Sequence, residues 1–165
     1  VGDTSVHEYP TSEQMAEIAI STARVVRLFG FDPKVAFVSH STFGQPLTSR
    51  TKHIRKAVDI LKEKKVDFEF DGDMQPDVAL NSEYEELYPF SKIVGNANIL
   101  IMPGQHSAAI SYKMMKTLGD TKVIGPLLVG LGLPIEIAPL RSSTSEIINL
   151  ASIAAYSSDV IDYKK

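Results

Sequence analysis

Cysteine is missing from all 165 residues. Its absence excludes disulfides, a thiol nucleophile and Cys-type zinc sites, and agrees with a reducing cytoplasm, which is the expected location. Long apolar runs are missing too, since nothing approaches the roughly 18–20 uninterrupted residues a membrane-spanning helix needs. The longest apolar stretch, Val123 to Ala138, is broken by Gly125, Pro126, Gly130, Gly132, Pro134 and Glu136, and reads as two strands joined by a turn. No leader of charged, then apolar, then small residues opens the chain, so secretion is not expected. Basic excess is lacking as well. Seventeen Lys and Arg face twenty Asp and Glu, for a formal charge of −3, which argues against nucleic acid as a partner. A P-loop, a His-Glu-x-x-His pair, a Gly-x-Gly-x-x-Gly turn after a strand and a nucleophile elbow are all absent.

What is present is the composition of a globular domain, 44% hydrophobic and 22% charged, long enough to bury one core. The first residue is Val1, and Tyr9-Pro10 leads directly into a helix, so the sequence reads as a piece of a longer polypeptide. Thr11 with Gln14 forms a capping-box pattern, followed by a stripe of Met15, Ile18, Thr22, Val25 or Val26, and Phe29, with Gly30 as the stop. Lys34 to Ser39 is a short apolar strand of the kind buried on both faces. A helix is expected over about Thr51 to Lys65, a strand over Val66 to Phe70, and a helix from Pro76 through about Leu87. Ala97 to Met102 is a further strand, and Ser107 to Leu118 a helix that buries Ile110, Met114, Met115 and Leu118. Val123 to Val129 and Ile135 to Ala138 are read as strands. Thr144 to Tyr156 is the closing helix, with Ile147, Ile148, Leu150, Ala151 and Ile153 on it. Alternation at this spacing points to an α/β domain of three layers, α/β/α, around a mainly parallel sheet.

Ligands of open α/β sheets sit at the carboxyl ends of the strands. Three loops lie there. Ser39-His40-Ser41-Thr42-Phe43-Gly44 is dense in hydroxyls and suits an oxygen-rich anion, or is an ordinary polar turn closed by Gly44. His40 titrates near neutrality, but no neighbouring carboxylate in the sequence orients it. Asp71-Gly72-Asp73-Met74-Gln75 carries two carboxylates spaced for a divalent cation, which could equally be solvated or cap the next helix; no glutamate follows at the twelfth position of an EF-hand. Pro103-Gly104-Gln105-His106-Ser107 opens a helix, where free N–H groups and the dipole favour phosphate, with Lys113 and Lys116 further along. Those two lysines also fit a solvated basic face.

Four blocks together carry a resemblance: Lys34-Val-Ala-Phe-Val-Ser-His-Ser-Thr-Phe-Gly44; Phe70-Asp-Gly-Asp-Met-Gln-Pro-Asp-Val-Ala-Leu80; Gly95-Asn-Ala-Asn-Ile-Leu-Ile-Met-Pro103; and Tyr112-Lys-Met-Met with Ile124-Gly-Pro-Leu-Leu-Val-Gly-Leu-Gly-Leu-Pro134. They resemble the phosphate acetyl/butyryltransferases from about residue 13 to 157. The resemblance implies the isocitrate/isopropylmalate dehydrogenase-like fold of phosphotransacetylases. It also implies two α/β domains around a cleft, of which residues 1–165 supply the second plus the returning C-terminal segment, and a homodimer. Active members carry a Ser-Arg pair and then an aspartate that assists deprotonation of the CoA thiol. Gapless alignment puts Pro139 and Leu140 at the pair and Glu146 at the aspartate, while a one-residue shift moves Arg141 towards the arginine. An arginine used for CoA falls at Thr117, beside Lys116.

With these departures the chain is more similar to the phosphotransacetylase-like C-terminal domain of large bacterial NADP-dependent malic enzymes. That likeness implies a non-catalytic domain, without a metal of its own, that senses acetyl-CoA or a related acyl-CoA for an attached malic enzyme domain holding NADP and Mg or Mn. The residues it offers for an acyl-CoA or phosphate are Ser39, His40, Ser41, Thr42, Gln105, Lys113, Lys116, Arg141, Ser142, Ser143 and Glu146. The alternatives are part of an active phosphate acetyltransferase, moving acetyl between CoA and phosphate, and a stand-alone binding module.

Overall fold

The computed structural model describes residues 1–119 and 122–160. They fall into two compact units, Val1–Tyr112 and Lys113–Lys165. In the first, α1 (Ser12–Leu28), β1 (Lys34–Val38), α2 (Ser49–Lys64), β2 (Glu69–Met74), α3 (Pro76–Leu80) and β3 (Ile99–Ile101) follow in order, and α4 (Gln105–Leu118) starts here and runs on into the second unit.

The strands pair in the order β2-β1-β3, all parallel, with Val35 opposite Phe70 and Ile99. Because side chains alternate across a strand, β1 feeds two cores at once. Val35 and Phe37 join Ile99 and Ile101 under α1 and α2, packed on Met15, Ala19, Ile54 and Leu61. Ala36 and Val38 face the other way, with Leu100, Met74, Ala79 and Ala108. The expected three layers are therefore present.

Local chemistry explains the helix ends. Thr11 and Gln14 exchange the two bonds of a capping box, and Gly30 takes the left-handed φ of +80° just past the Phe29 cap. Thr48 and Thr51 form a second box, so α2 begins at Ser49, not Thr51. The buried stripe of α1 is Met15, Ala16, Ala19 and Ala23; Ile18 is only partly buried and Phe29 is exposed.

Two further expectations in this unit are corrected. The second strand runs over Glu69–Met74 and not Val66 to Phe70, so the Asp-Gly-Asp segment is strand instead of loop. It pairs with β1 through Asp71 and Gly72, residues of low strand propensity that backbone pairing and burial override. The helix from Pro76 stops at Leu80, because the Asn81 side chain accepts the Glu83 N–H and starts a 3₁₀ turn over Ser82–Tyr84.

The second unit holds the last turns of α4, the segment 122–143 and α5 (Thr144–Val160). The expected strands Val123 to Val129 and Ile135 to Ala138 do not form. Gly125 and Gly130 take φ of +118° and +85°, prolines interrupt the N–H row, and the Leu128 N–H donates to the Glu136 carboxylate, not to a strand carbonyl. The side of α4 expected to be buried is also exposed: Ile110, Met114, Met115 and Leu118 all face outward, Leu118 at 78%. Among the described side chains of α5 only Leu150 is buried; Ile147, Ile148 and Ala151 are exposed.

Candidate functional site

In the first unit the sheet brings the loop after β1 beside the end of β2. The Ser39 N–H donates to the Met74 carbonyl at 2.9 Å and the Phe43 N–H to the Asp73 carbonyl at 2.6 Å, so the hydroxyl-rich loop is bonded across both ends. Below it the Ser41 hydroxyl donates to Oδ2 of Asp73, and both residues are fully buried. Asp73 Oδ1 has no partner. Thr42 is buried and its hydroxyl accepts the Gln75 N–H at 3.2 Å. Ser41 and Thr42 therefore shape the loop. Ser39 and exposed His40 remain at its surface, with the Ser39 hydroxyl 3.5 Å from Nδ1 of His40 and no carboxylate bonded to that ring among the described residues.

The two acidic residues of the Asp-Gly-Asp segment are not arranged for a cation. Asp71 accepts from the backbone N–H of Gly72 at 2.9 Å and of Lys92 at 2.8 Å, while Asp73 turns to Ser41. No group of three or more possible metal-ligating side chains occurs among the described residues. Gly72 sits at φ +150°, and a Cβ there would lie 2.7 Å from the Phe37 carbonyl oxygen, so glycine lets β2 lie close against β1.

The start of α4 is covered, not open. Gln105 donates its N–H to the Glu8 carbonyl at 3.2 Å, His106 stacks on Tyr9, and Arg50 donates to the Pro103 carbonyl. Glu8 thus takes one of the N–H groups that the helix start would otherwise offer to phosphate. Arg50 and Glu8 are structural participants that the sequence does not single out, and Asp71 and Asp73, read there as spaced for a cation, are held in structural hydrogen bonds. The Asp-Gly-Asp spacing is the available signal for the last two, and by itself it points to a loop.

In the second unit, Ser143 and Glu146 form their own capping box at the start of α5. The Ser143 N–H donates to the Glu146 carboxylate at 2.7 Å and the Glu146 N–H to the Ser143 hydroxyl at 3.3 Å. Lys116 donates to the same carboxylate at 2.9 Å. Lys116 first, then the Ser143 N–H and hydroxyl, hold the Glu146 carboxyl down to about 2. The structure therefore brings Lys116, Ser143 and Glu146 together. Lys113, Leu140 and Arg141 are exposed, and Ser142 is half-buried.

A parallel sheet between helical layers, with polar loops at the carboxyl ends of its strands, defines a three-layer α/β domain. The chain belongs to the phosphate acetyl/butaryl transferase family, which matches residues 1–155. It is 50% identical over 156 residues to an NADP-dependent malic enzyme of Rhizobium meliloti, covering 94% of this chain and 20% of that protein. It is 37% identical to a phosphate acetyltransferase of Clostridium acetobutylicum, covering 92% of this chain and 46% of that one. A phosphotransacetylase structure from Streptococcus pyogenes superposes with a TM-score of 0.91 at 34% identity, over 96% of this chain and 48% of its own. The chain thus spans about a fifth of that malic enzyme and just under half of each of these two phosphotransacetylases. No helix among the described residues is long and apolar enough to cross a membrane.

Proposed function

We propose that this chain is a catalytically inactive, phosphotransacetylase-like regulatory domain of a cytoplasmic, homodimeric NADP-dependent malic enzyme, and that it senses acetyl-CoA. The observation that carries the reading is the state of Glu146. It stands where the family resemblance puts the thiol-deprotonating aspartate, yet its carboxylate is already engaged by Lys116 and by the Ser143 N–H and hydroxyl. Pro139 and Leu140, at the Ser-Arg positions, offer neither a hydroxyl nor a cation. Identity to a malic enzyme exceeds that to a phosphate acetyltransferase, which supports the same reading.

The mechanism is linkage. Acetyl-CoA binds one arrangement of the domain better than another and shifts the attached enzyme by that difference, typically about 1–3 kcal/mol or 5–150-fold in affinity. In this reading Lys113 and Arg141, both exposed, meet its phosphates. The nicotinamide cofactor and its divalent cation belong to the malic enzyme domain, where malate is oxidised and decarboxylated to pyruvate and CO2. The test is the rate of malate decarboxylation by the full-length protein with and without acetyl-CoA. A response weakened by Lys113→Ala and Arg141→Ala is expected, and a rate indifferent to acetyl-CoA overturns the reading.

A second reading, an active phosphate acetyltransferase half, draws on the Clostridium match and on Arg141, one residue from the arginine position. Acetyl phosphate formation by the full-length protein separates the two.

A further inference from the structure

The hydroxyl-rich loop after β1 ends in a turn that its sequence does not favour. Thr42 and Gln45 exchange N–H to carbonyl bonds of 3.3 and 3.1 Å around Phe43 and Gly44, whose φ angles are +50° and +82°. Positive φ at both central residues is the type I′ arrangement, in which the first of the two is usually Asn, Asp or Gly. Here it is phenylalanine, and a bulky side chain at positive φ strains the backbone. The other two non-glycine residues with positive φ among the described residues have local reasons for it. Asp3 accepts the Val6 and His7 N–H groups with its own carboxylate, and Lys65 caps α2. Phe43 has no such local reason, so what holds it lies elsewhere in the fold.

The ring supplies the hold. Phe43 is partly buried and packs against the core that contains Met74, Ala79 and Ile93. Tyr88 lies tilted against it with centroids 5.5 Å apart, and Phe90 meets it edge to face at 4.8 Å. Two aromatic contacts and the strain of one such residue are of the same order of energy, so the turn stands close to balance. The first half of the loop does not depend on the rings, because the Ser39 N–H is bonded to the Met74 carbonyl and the Ser41 hydroxyl to Asp73. Phe90 is 62% exposed, which leaves the aromatic side of the turn open to solvent. We propose that Phe43, clasped by Tyr88 and Phe90, is an aromatic latch that keeps the Thr42 to Gln45 turn in a strained form. Loss of the Phe90 contact lets the turn relax and changes how the adjoining Ser39 and His40 are presented. The latch does not rest on the regulatory reading above.

Residue-resolved amide hydrogen exchange of the full-length chain tests it. In Phe90→Ala the N–H groups of Phe43 and Gln45 should exchange about tenfold faster, while those of Val35 and Phe37 in the core keep their wild-type rates. Adding Phe43→Asn, which suits the turn but has no ring, should return Gln45 to within about twofold of wild type; adding Phe43→Ala, strained and ringless, should leave it fast. Unchanged exchange at Gln45 in Phe90→Ala overturns the proposal. So does acceleration shared by Val35 and Phe37, or a Phe43→Asn variant that exchanges as fast as Phe43→Ala. No ligand enters the measurement, so failure here leaves the decarboxylation test untouched, and the converse also holds.

Discussion

Residues 1–112 and 113–165 carry apolar residues at similar helical spacing and treat them differently. In the first unit α1 and α2 press Met15, Ala19, Ile54 and Leu61 into one core with Phe37, and Val35 to Val38 are buried throughout. In the second, α5 brings Ile147, Ile148, Leu150 and Ile153 within two turns and still leaves Ile147 and Ile148 exposed. Periodicity identifies the apolar face of a helix; what covers that face depends on long-range packing the pattern does not contain.

The sharpest way to break this contrast is a pair of truncations. Phe37→Ala should cost about 3–5 kcal/mol in urea unfolding, because a fully buried ring leaves a cavity. Ile148→Ala, 58% exposed, should stay within about 0.5 kcal/mol. Equal losses would show that the second unit is as firmly packed as the first. Gly72→Ala comes next. Strain at φ +150° should cost about 1–3 kcal/mol, and the clash with Phe37 adds to it. Wild-type stability would mean that β2 can retreat from β1. Ser41→Ala removes the one hydrogen-bond partner that the Asp73 carboxylate has among the described residues and should cost about 1–3 kcal/mol; Ser41→Thr, which keeps the hydroxyl, should recover part of it.

The smallest effect lies at Glu146. Its folded pKa is lowered from 4.5 to about 2, so its contribution is complete above the unfolded value and is lost as pH falls from about 4.5 towards 2. Lys116→Met removes the largest cause and should move the carboxyl midpoint, read by NMR, up towards 4.5. A midpoint that stays near 2 would give the whole effect to Ser143.

Much of the first unit is legible in the sequence. Thr11 with Gln14, Gly30 and the short run Lys34 to Val38 each have a local physical cause, and the structure repeats them. Asp-Gly-Asp reads as a loop because two carboxylates and a glycine disfavour a strand until tertiary partners, the Ser41 hydroxyl and the Lys92 N–H, donate to those carboxylates. The segment 123–138 reads as strands because apolar content alone does not show that a pairing partner is lacking. Ser143 and Glu146 follow the Ser-x-x-Glu capping pattern, so their part in starting α5 lies within reach of spacing. That of Lys116 does not, because it reaches Glu146 from 30 residues away.

The central claim is that these loops bind and transmit without catalysing. Its most direct test is acetyl phosphate formation from acetyl-CoA and inorganic phosphate by the full-length protein. The account predicts no turnover above background. Turnover at ordinary enzyme rates, about 1–1,000 per second, would contradict it and return Arg141 and Glu146 to a catalytic role.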